Sequence, residues 1–218
     1  PILATAAGLD SNYSATYHPW CLVKDIGSNK SIFIPPSVIV PQAYAYNDAV
    51  AEPWFAPAGI SRGGLGGAID TKYRLYKADR DTLYQARINP LIKSNNNGVS
   101  IFGQKTLQVA DTALNRINVR RLLIVLRSFI VNASNGFVFE QNTNNTQIKL
   151  RGILNPFMEN VKQKQGLYAY RVQVDDSNNT SDVIDRNELV VKIFISPTKS
   201  IEFILLSFSI NGSGVTFN

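Results

Sequence analysis

The chain has 218 residues, 44% apolar and 17% charged, a globular balance that excludes a disordered tail and supplies one large domain or two small ones. One Cys (Cys21) and one His (His18) exclude an internal disulfide framework, a Cys-based zinc or iron–sulfur site and the His-pair metalloenzymes, and they disfavour a His-centred triad. Lys and Arg outnumber Asp and Glu by 22 to 16, a net charge of +6, which permits an acidic partner without demanding nucleic acid.

The sequence opens Pro1-Ile2-Leu3 with no Met, as expected of a processed chain, a fragment or the ordered part of a longer one. No basic head precedes an apolar run of about 7–15 residues, as a signal peptide requires, and no stretch reaches the roughly 18 apolar residues of a membrane span. The expectation is a soluble protein made in a reducing cytosol, with the Asn-x-Ser/Thr triplets at Asn12, Asn144 and Asn178 arising by chance.

In residues 1–47, Ser31–Ile34 and Val38–Val40 read as short strands or extended connectors, because Pro35, Pro36 and Pro41 bracket the second run. Residues 52–67 read as an irregular loop. From Asp70 to Ile88 the pattern turns helical, with Ile69, Tyr73, Tyr76 and Leu83 on one stripe and Pro90 as the stop. Asn95-Asn96-Asn97-Gly98 is a turn, and Val99 to Leu107 a short strand turning at Gly103. The strongest helix follows: Val119, Leu122, Leu123, Leu126, Phe129 and Ile130 share one face, and Asn135-Gly136 ends it. Phe137–Glu140 reads as a short buried strand. The polar loop Asn142–Thr146 can cap the next helix, in which Leu150, Ile153, Leu154, Phe157, Met158 and Val161 repeat the spacing. A kink or restart is expected at Asn155-Pro156, and a close at Gly166. Three strands finish the chain: Tyr168–Val174 alternates, Leu189–Ile195 suits burial on both faces, and Ile201–Ile210 alternates over its second half.

Several constellations resemble chemistry. The loop Arg62-Gly63-Gly64-Leu65-Gly66-Gly67 lacks the Lys and hydroxyl of a phosphate loop and the preceding strand of a dinucleotide fingerprint, so it reads as a flexible connector. Asp175–Asp182 is rich in oxygen ligands, yet counted from Asp176 it lacks the Gly and Glu of a calcium loop; it reads as a polar turn bonded to its own backbone. Asp182, Asp185 and Glu188 are paired carboxylates by proximity only, and Arg186 among them points to ion pairing. Arg116, Arg120 and Arg127 form a stripe beside the strong helix's apolar face, expected to pair with the protein's own acids more than with a partner's. The residues alone therefore describe an α+β domain with no visible active site. Its last alternating strand and polar tail suggest sheet extension between chains, because a strand edge offers unpaired N–H and C=O groups.

The motifs Glu52–Gly59, Arg80–Pro90, Phe102–Leu107 and Arg116–Leu122, then Tyr170-Arg171-Val172, Asn178-Asn179-Thr180, Val183–Glu188, Ile195-Ser196-Pro197 and Ile201–Ile204, resemble in order the contractile phage tail sheath proteins. Tyr17-His18-Pro19-Trp20 and Pro35-Pro36-Ser37 extend the likeness, which runs from about Tyr17 to Phe208. It implies the C-terminal, tube-proximal domain of a sheath subunit: an α+β fold with a mixed or antiparallel sheet, several amphipathic helices and an extended C-terminal arm for strand addition between subunits. The implied organisation is a remnant of an upstream domain or linker at 1–16, the inner domain at 17–210 and the arm at 211–218.

The resemblance also implies a function. Subunits would polymerise around a tail tube as a helical sheath of hexameric rings and contract to drive the tube through the host envelope for genome delivery. No catalysis, cofactor, metal, direct nucleic-acid contact or membrane insertion is implied. The implied partners are other copies of the chain, the tail tube protein, and baseplate and tail terminator proteins; the implied location is the virion tail, after assembly in host cytoplasm. Subunit contacts would fall on Ile204, Leu206, Phe208, Ile210, Val215 and Phe217. Tube contacts would fall on Glu159, Lys162 and Lys164, on a helix placed at Pro156–Gly166. A tailocin or contractile secretion-system sheath stays open on sequence. So does, from another class, a β-rich glycan-active or calcium-dependent enzyme using Asp176, Asp182 and Glu188.

Overall fold

The computed structural model describes residues 2–94 and 98–203. In chain order its elements are α1 (Ile2–Ala7), β1 (Thr16–His18), β2 (Cys21–Lys24), β3 (Ser31–Ile34), α2 (Pro36–Val50), α3 (Gly59–Arg62), β4 (Ala68–Thr71) and α4 (Lys77–Gln85). There follow β5 (Ile88–Ser94), β6 (Gly98–Ile101), a 3-10 turn at Ala113–Asn115, α5 (Ile117–Asn135), α6 (Asn144–Gln163), β7 (Leu167–Gln173), α7 (Ser181–Asp185) and β8 (Lys192–Pro197). This is the expected α+β class, with the strands divided among three small sheets rather than gathered in one. Their orders are β1-β5-β6, β3-β2-β4 and β7-β8. The β1–β5 pairing is parallel and the other pairings are antiparallel.

Three apolar clusters hold these layers together. One joins the first two sheets to α2 through Cys21, Ile39, Ala43, Leu65, Leu91 and Ile101. A second packs α5, α6 and the β7–β8 ribbon on Trp54 through Leu122, Leu126, Met158, Val161 and Leu167. The smallest joins Ala6, Leu83, Ile88 and Leu107. Helices α5 and α6 form as their spacing predicts. Their buried residues Val119, Leu122 and Leu126, then Leu150, Leu154, Met158 and Val161, recur at helical intervals. The Thr143 side chain accepts the Thr146 N–H and so caps α6. Helix α6 runs unbroken past Pro156, with no restart.

Several expectations are corrected. Val38–Val40 is not a strand but part of α2. Pro36 occupies the first turn, where its missing N–H costs nothing, and the buried set Pro36, Ile39, Val40, Ala43 and Asn47 lies on one helical face around an exposed Pro41. The helix expected from Asp70 to Ile88 shrinks to α4. Ile69 belongs to β4, Tyr73 and Tyr76 are exposed, and only Leu83 of the stripe is buried; Pro90 lies within β5. Phe137–Glu140 is a turn whose Phe139, at φ 72°, is fully exposed, because no strand among the described residues stands beside it to bury the run. Finally, β8 is shorter than expected and alternates in burial. A two-stranded ribbon covers only one face, so Ile193 and Ile195 reach the core while Phe194 is exposed.

The glycine loop at 62–67, expected to be a flexible connector, is instead tied down: Ile101 N–H donates to Gly63 O and Leu65 N–H to Val99 O, each at 2.8 Å, with Leu65 buried between them. Among the described residues, no helix is long and apolar enough to cross a membrane.

Candidate functional site

The motifs singled out in the sequence are far apart along the chain, yet four of them meet at one point. Beyond β8 the chain runs without regular structure from Thr198 to Phe203, and Glu202 anchors it. Each carboxylate oxygen receives two donors. Oε1 accepts from Arg116 Nε at 2.5 Å and Gln104 Nε2 at 3.1 Å; Oε2 accepts from the Tyr84 hydroxyl at 2.7 Å and Arg116 Nη2 at 3.1 Å. Arg116 is presented by the N-cap of α5, Tyr84 by α4 and Gln104 by the strap after β6.

Electrostatics follow from this geometry. Burial works against the Glu202 charge, but the bonds from Tyr84, Arg116 and Gln104 outweigh it and hold the carboxyl below its ordinary range. The Tyr84 phenol is pushed up, first by burial and then by donating to Glu202. Lys105 closes the cluster, its Nζ 4.2 Å from the Tyr84 ring centroid and donating to Tyr84 O at 2.9 Å. Burial, then neighbouring Arg116, lowers its pKa. With both oxygens doubly engaged, Glu202 is an anchor for the outgoing segment and has no lone proton to trade.

Nearby, the fully buried Asn89 fastens β5 to the strap. Its Nδ2 donates to Thr16 O and Lys105 O, and its Oδ1 accepts from Lys105 N–H at 2.7 Å. Gly103 is required at that approach, since a Cβ there would stand 2.8 Å from Asn89 Oδ1.

The polar turn after β7 is a second anchor. Asn179 accepts from Val190 N–H at 2.7 Å and donates to Val190 O at 3.1 Å. Asn178 donates to Gln173 O and Val190 O and accepts from Asp175 N–H. Both side chains are buried, so this motif closes the ribbon end, as the polar-turn reading expects. Among the described residues no group of three or more His, Cys, Asp or Glu side chains could hold a metal ion. Glu188 pairs with Arg186 at 3.2 Å.

Glu159, Lys162 and Lys164 fall at the C-terminal end of α6. Lys162 lies 3.9 Å from Glu159, Lys164 Nζ lies 2.6 Å from Glu52 Oε1, and the Tyr170 hydroxyl donates to Glu159 at 3.1 Å. All three remain substantially accessible. The helix end is fixed by the Trp54 indole N–H, which donates to Lys164 O at 3.0 Å. Of the arginine stripe, Arg116 meets Glu202, Arg120 bonds Asn12 and stacks on Tyr13, and Arg127 is exposed. Ile204, Leu206, Phe208, Ile210, Val215 and Phe217 lie outside the described residues.

Sequence reasoning missed the Glu202 cluster, because its members are 86 to 118 positions apart. The only advance signal was that each sat in a motif of the same resemblance.

Comparison with known proteins bears on this arrangement. The family described as phage tail sheath C-terminal domain matches residues 109–211. The tail sheath protein of Vibrio phage KVP40 is 34% identical over 99% of this chain and 31% of its own length. That of Enterobacteria phage T4 is 33% identical over 100% of this chain and 32% of its own length. The chain thus spans about a third of the length of the curated relatives it matches. Among solved structures, the sheath of an extracellular contractile injection system (PVC, contracted state) superposes with a TM-score of 0.85 at 27% identity, covering 96% of this chain and 59% of that one.

Proposed function

We propose that this chain, which matches the phage tail sheath C-terminal domain over residues 109–211, is a structural subunit of a contractile tail. Copies polymerise around a tail tube as a helical sheath of hexameric rings. Contraction then drives the tube through the host envelope. The observation that carries this reading is likeness to two phage tail sheath proteins over essentially the whole chain. The subunit works by mechanical rearrangement between rigid bodies and turns over no substrate. It resides in the virion tail after assembly in host cytoplasm, and it meets the tube, baseplate and tail terminator proteins.

Within the subunit, residues 17–210 form the inner domain, 1–16 a linker or upstream remnant, and 211–218 an arm. Ile204, Leu206, Phe208, Ile210, Val215 and Phe217 add strand contacts in a neighbouring copy. Glu159, Lys162 and Lys164 face the tube from the end of α6. Their accessible charges on a fixed helix end support this role.

A second reading, the sheath of an extracellular contractile injection system, is favoured by the 27% identity to such a sheath. The enzyme reading through Asp176, Asp182 and Glu188 is disfavoured by the ion pair that engages Glu188.

Negative-stain microscopy of the full-length protein tests the proposal: hollow helical tubes are expected, and a strictly monomeric protein at high concentration refutes it. Charge reversal of Lys162 and Lys164 then tests the tube face. Loss of tube co-assembly with sheath polymerisation intact is expected; unchanged co-assembly removes the assignment.

A further inference from the structure

A groove of about 1010 Å³ runs along the outgoing 198–203 segment, between Trp54, Phe55 and α4. Its cations are Arg62, Lys77, Arg80 and Lys199; its acids are Asp81 and Glu202. Glu202 is neutralised by Arg116, so the rim is net positive. Among the described residues none of those four cations has an ion-pair partner. Two are preset on aromatic rings, Arg62 5.0 Å from the Phe55 centroid and Arg80 5.8 Å from that of Phe102. Two buried lining side chains, Gln104 and Asn118, keep amide oxygens without a donor. Their nitrogens are committed to Glu202 and to Thr198 O, so a flip cannot satisfy them.

The opposite charge lies at the other end of the same ribbon. The turn between β7 and β8 exposes Asp176, Asp182 and Asp185, none with an ion-pair or hydrogen-bond partner among the described residues, and half-exposes Ile184. Asn178 and Asn179 make that turn rigid. The ribbon runs from Leu167↔Pro197 beside the groove to Gln173↔Lys192 beside the acidic turn, about 20 Å at 3.3 Å per residue. That exceeds the Debye length of about 8 Å at physiological salt, so the two patches do not neutralise each other within one copy.

We infer that the basic, aromatic groove receives the acidic Asp176–Asp185 turn of a second copy of this chain. The inference deepens the sheath reading and rests on it. Two different complementary patches make a head-to-tail contact, and such a contact propagates as an open helix when its rotation does not close. The groove cations meet the aspartates, and donors on the docked turn reach the orphaned amide oxygens.

The test is a charge swap in the full-length protein, using exposed side chains. Lys77→Glu with Lys199→Glu makes the groove acidic; Asp182→Lys with Asp185→Lys makes the turn basic. Each pair alone sets like charges against each other and raises the critical concentration for polymerisation about tenfold or more. Mixing the two variants, or combining all four substitutions in one chain, restores it. A Lys199→Cys, Asp185→Cys variant provides a readout that needs no charge change: oxidation is expected to give disulfide-linked multimers. Tubes unaffected by either charge pair, or an absence of both rescue and cross-linking while the wild type forms tubes, overturns the groove assignment alone. A wild type that never polymerises overturns the sheath reading and this contact with it.

Discussion

A Glu202→Gln substitution removes the charge at the exit anchor while keeping the shape of the side chain. The glutamate accepts four bonds, three of them at 2.7 Å or longer, and its side chain is 17% exposed against 29% for Arg116. Exposed ion pairs contribute up to about 1 kcal/mol and fully buried ones cost about 3–5 kcal/mol to break. This half-buried pair lies between, at about 2 kcal/mol. For a domain of this size that lowers Tm by about 4–8 °C, measured by calorimetry, with amide exchange resolving residues 198–203. The effect depends on pH. The folded-state pKa of Glu202 lies below its unfolded value, so its contribution is complete above the ordinary glutamate range and is lost as pH falls through the lowered folded value. The gap between wild type and variant therefore closes in acid. A Tm change below 1 °C at neutral pH, with protection of 198–203 unchanged, would refute the reasoning.

Asn179→Ala leaves the Val190 N–H unpaired beneath a buried turn, while the Val190 C=O keeps its bond from Asn178, a loss of about 1–3 kcal/mol by urea denaturation; a change under about 0.5 kcal/mol would mean the turn is closed by other bonds. Gly166→Ala drives a Cβ to within 2.7 Å of Val161 Cγ1 and 3.1 Å of the Trp54 indole. It should cost about 1–3 kcal/mol and shift tryptophan fluorescence, and an unaltered spectrum would count against the packing described. Cys21 is fully buried and its thiol is pushed up to about 11 by that burial. It should resist a thiol reagent at pH 8 in the folded protein and react at once in denaturant; rapid labelling of the native chain would contradict its burial.

The elements that the sequence announces are those whose burial is periodic and local. Helices α5 and α6 each carry a long apolar face, and β7 alternates in sequence, with Tyr170 and Val172 turned to the core although Tyr168 is exposed, so one rule finds each. Helix α2 has the same spacing, but Pro36 and Pro41 read as strand boundaries; the tolerance of proline in a first turn accounts for Pro36, whereas Pro41 sits inside the helix on its exposed side. Phe137–Glu140 shows the opposite error, since an apolar run makes a strand only where a neighbouring strand can pair with it. Pro90 misled for a similar reason: it sits in β5, where β1 and β6 hold the strand on both sides. The Glu202 cluster could not be read at all from spacing. Its donors come from α4, the strap after β6 and the start of α5, and only tertiary packing brings them to one carboxylate.

The place where Glu202 is held has a mechanical consequence. Tension on the chain beyond Phe203 meets the Arg116 guanidinium before it can peel β8 from β7. Because Arg116 opens α5, the pull passes along a nineteen-residue rod seated against Trp54 and Met158. The two-stranded ribbon is thereby shielded from stress, and the domain can be tugged from its end while keeping its form.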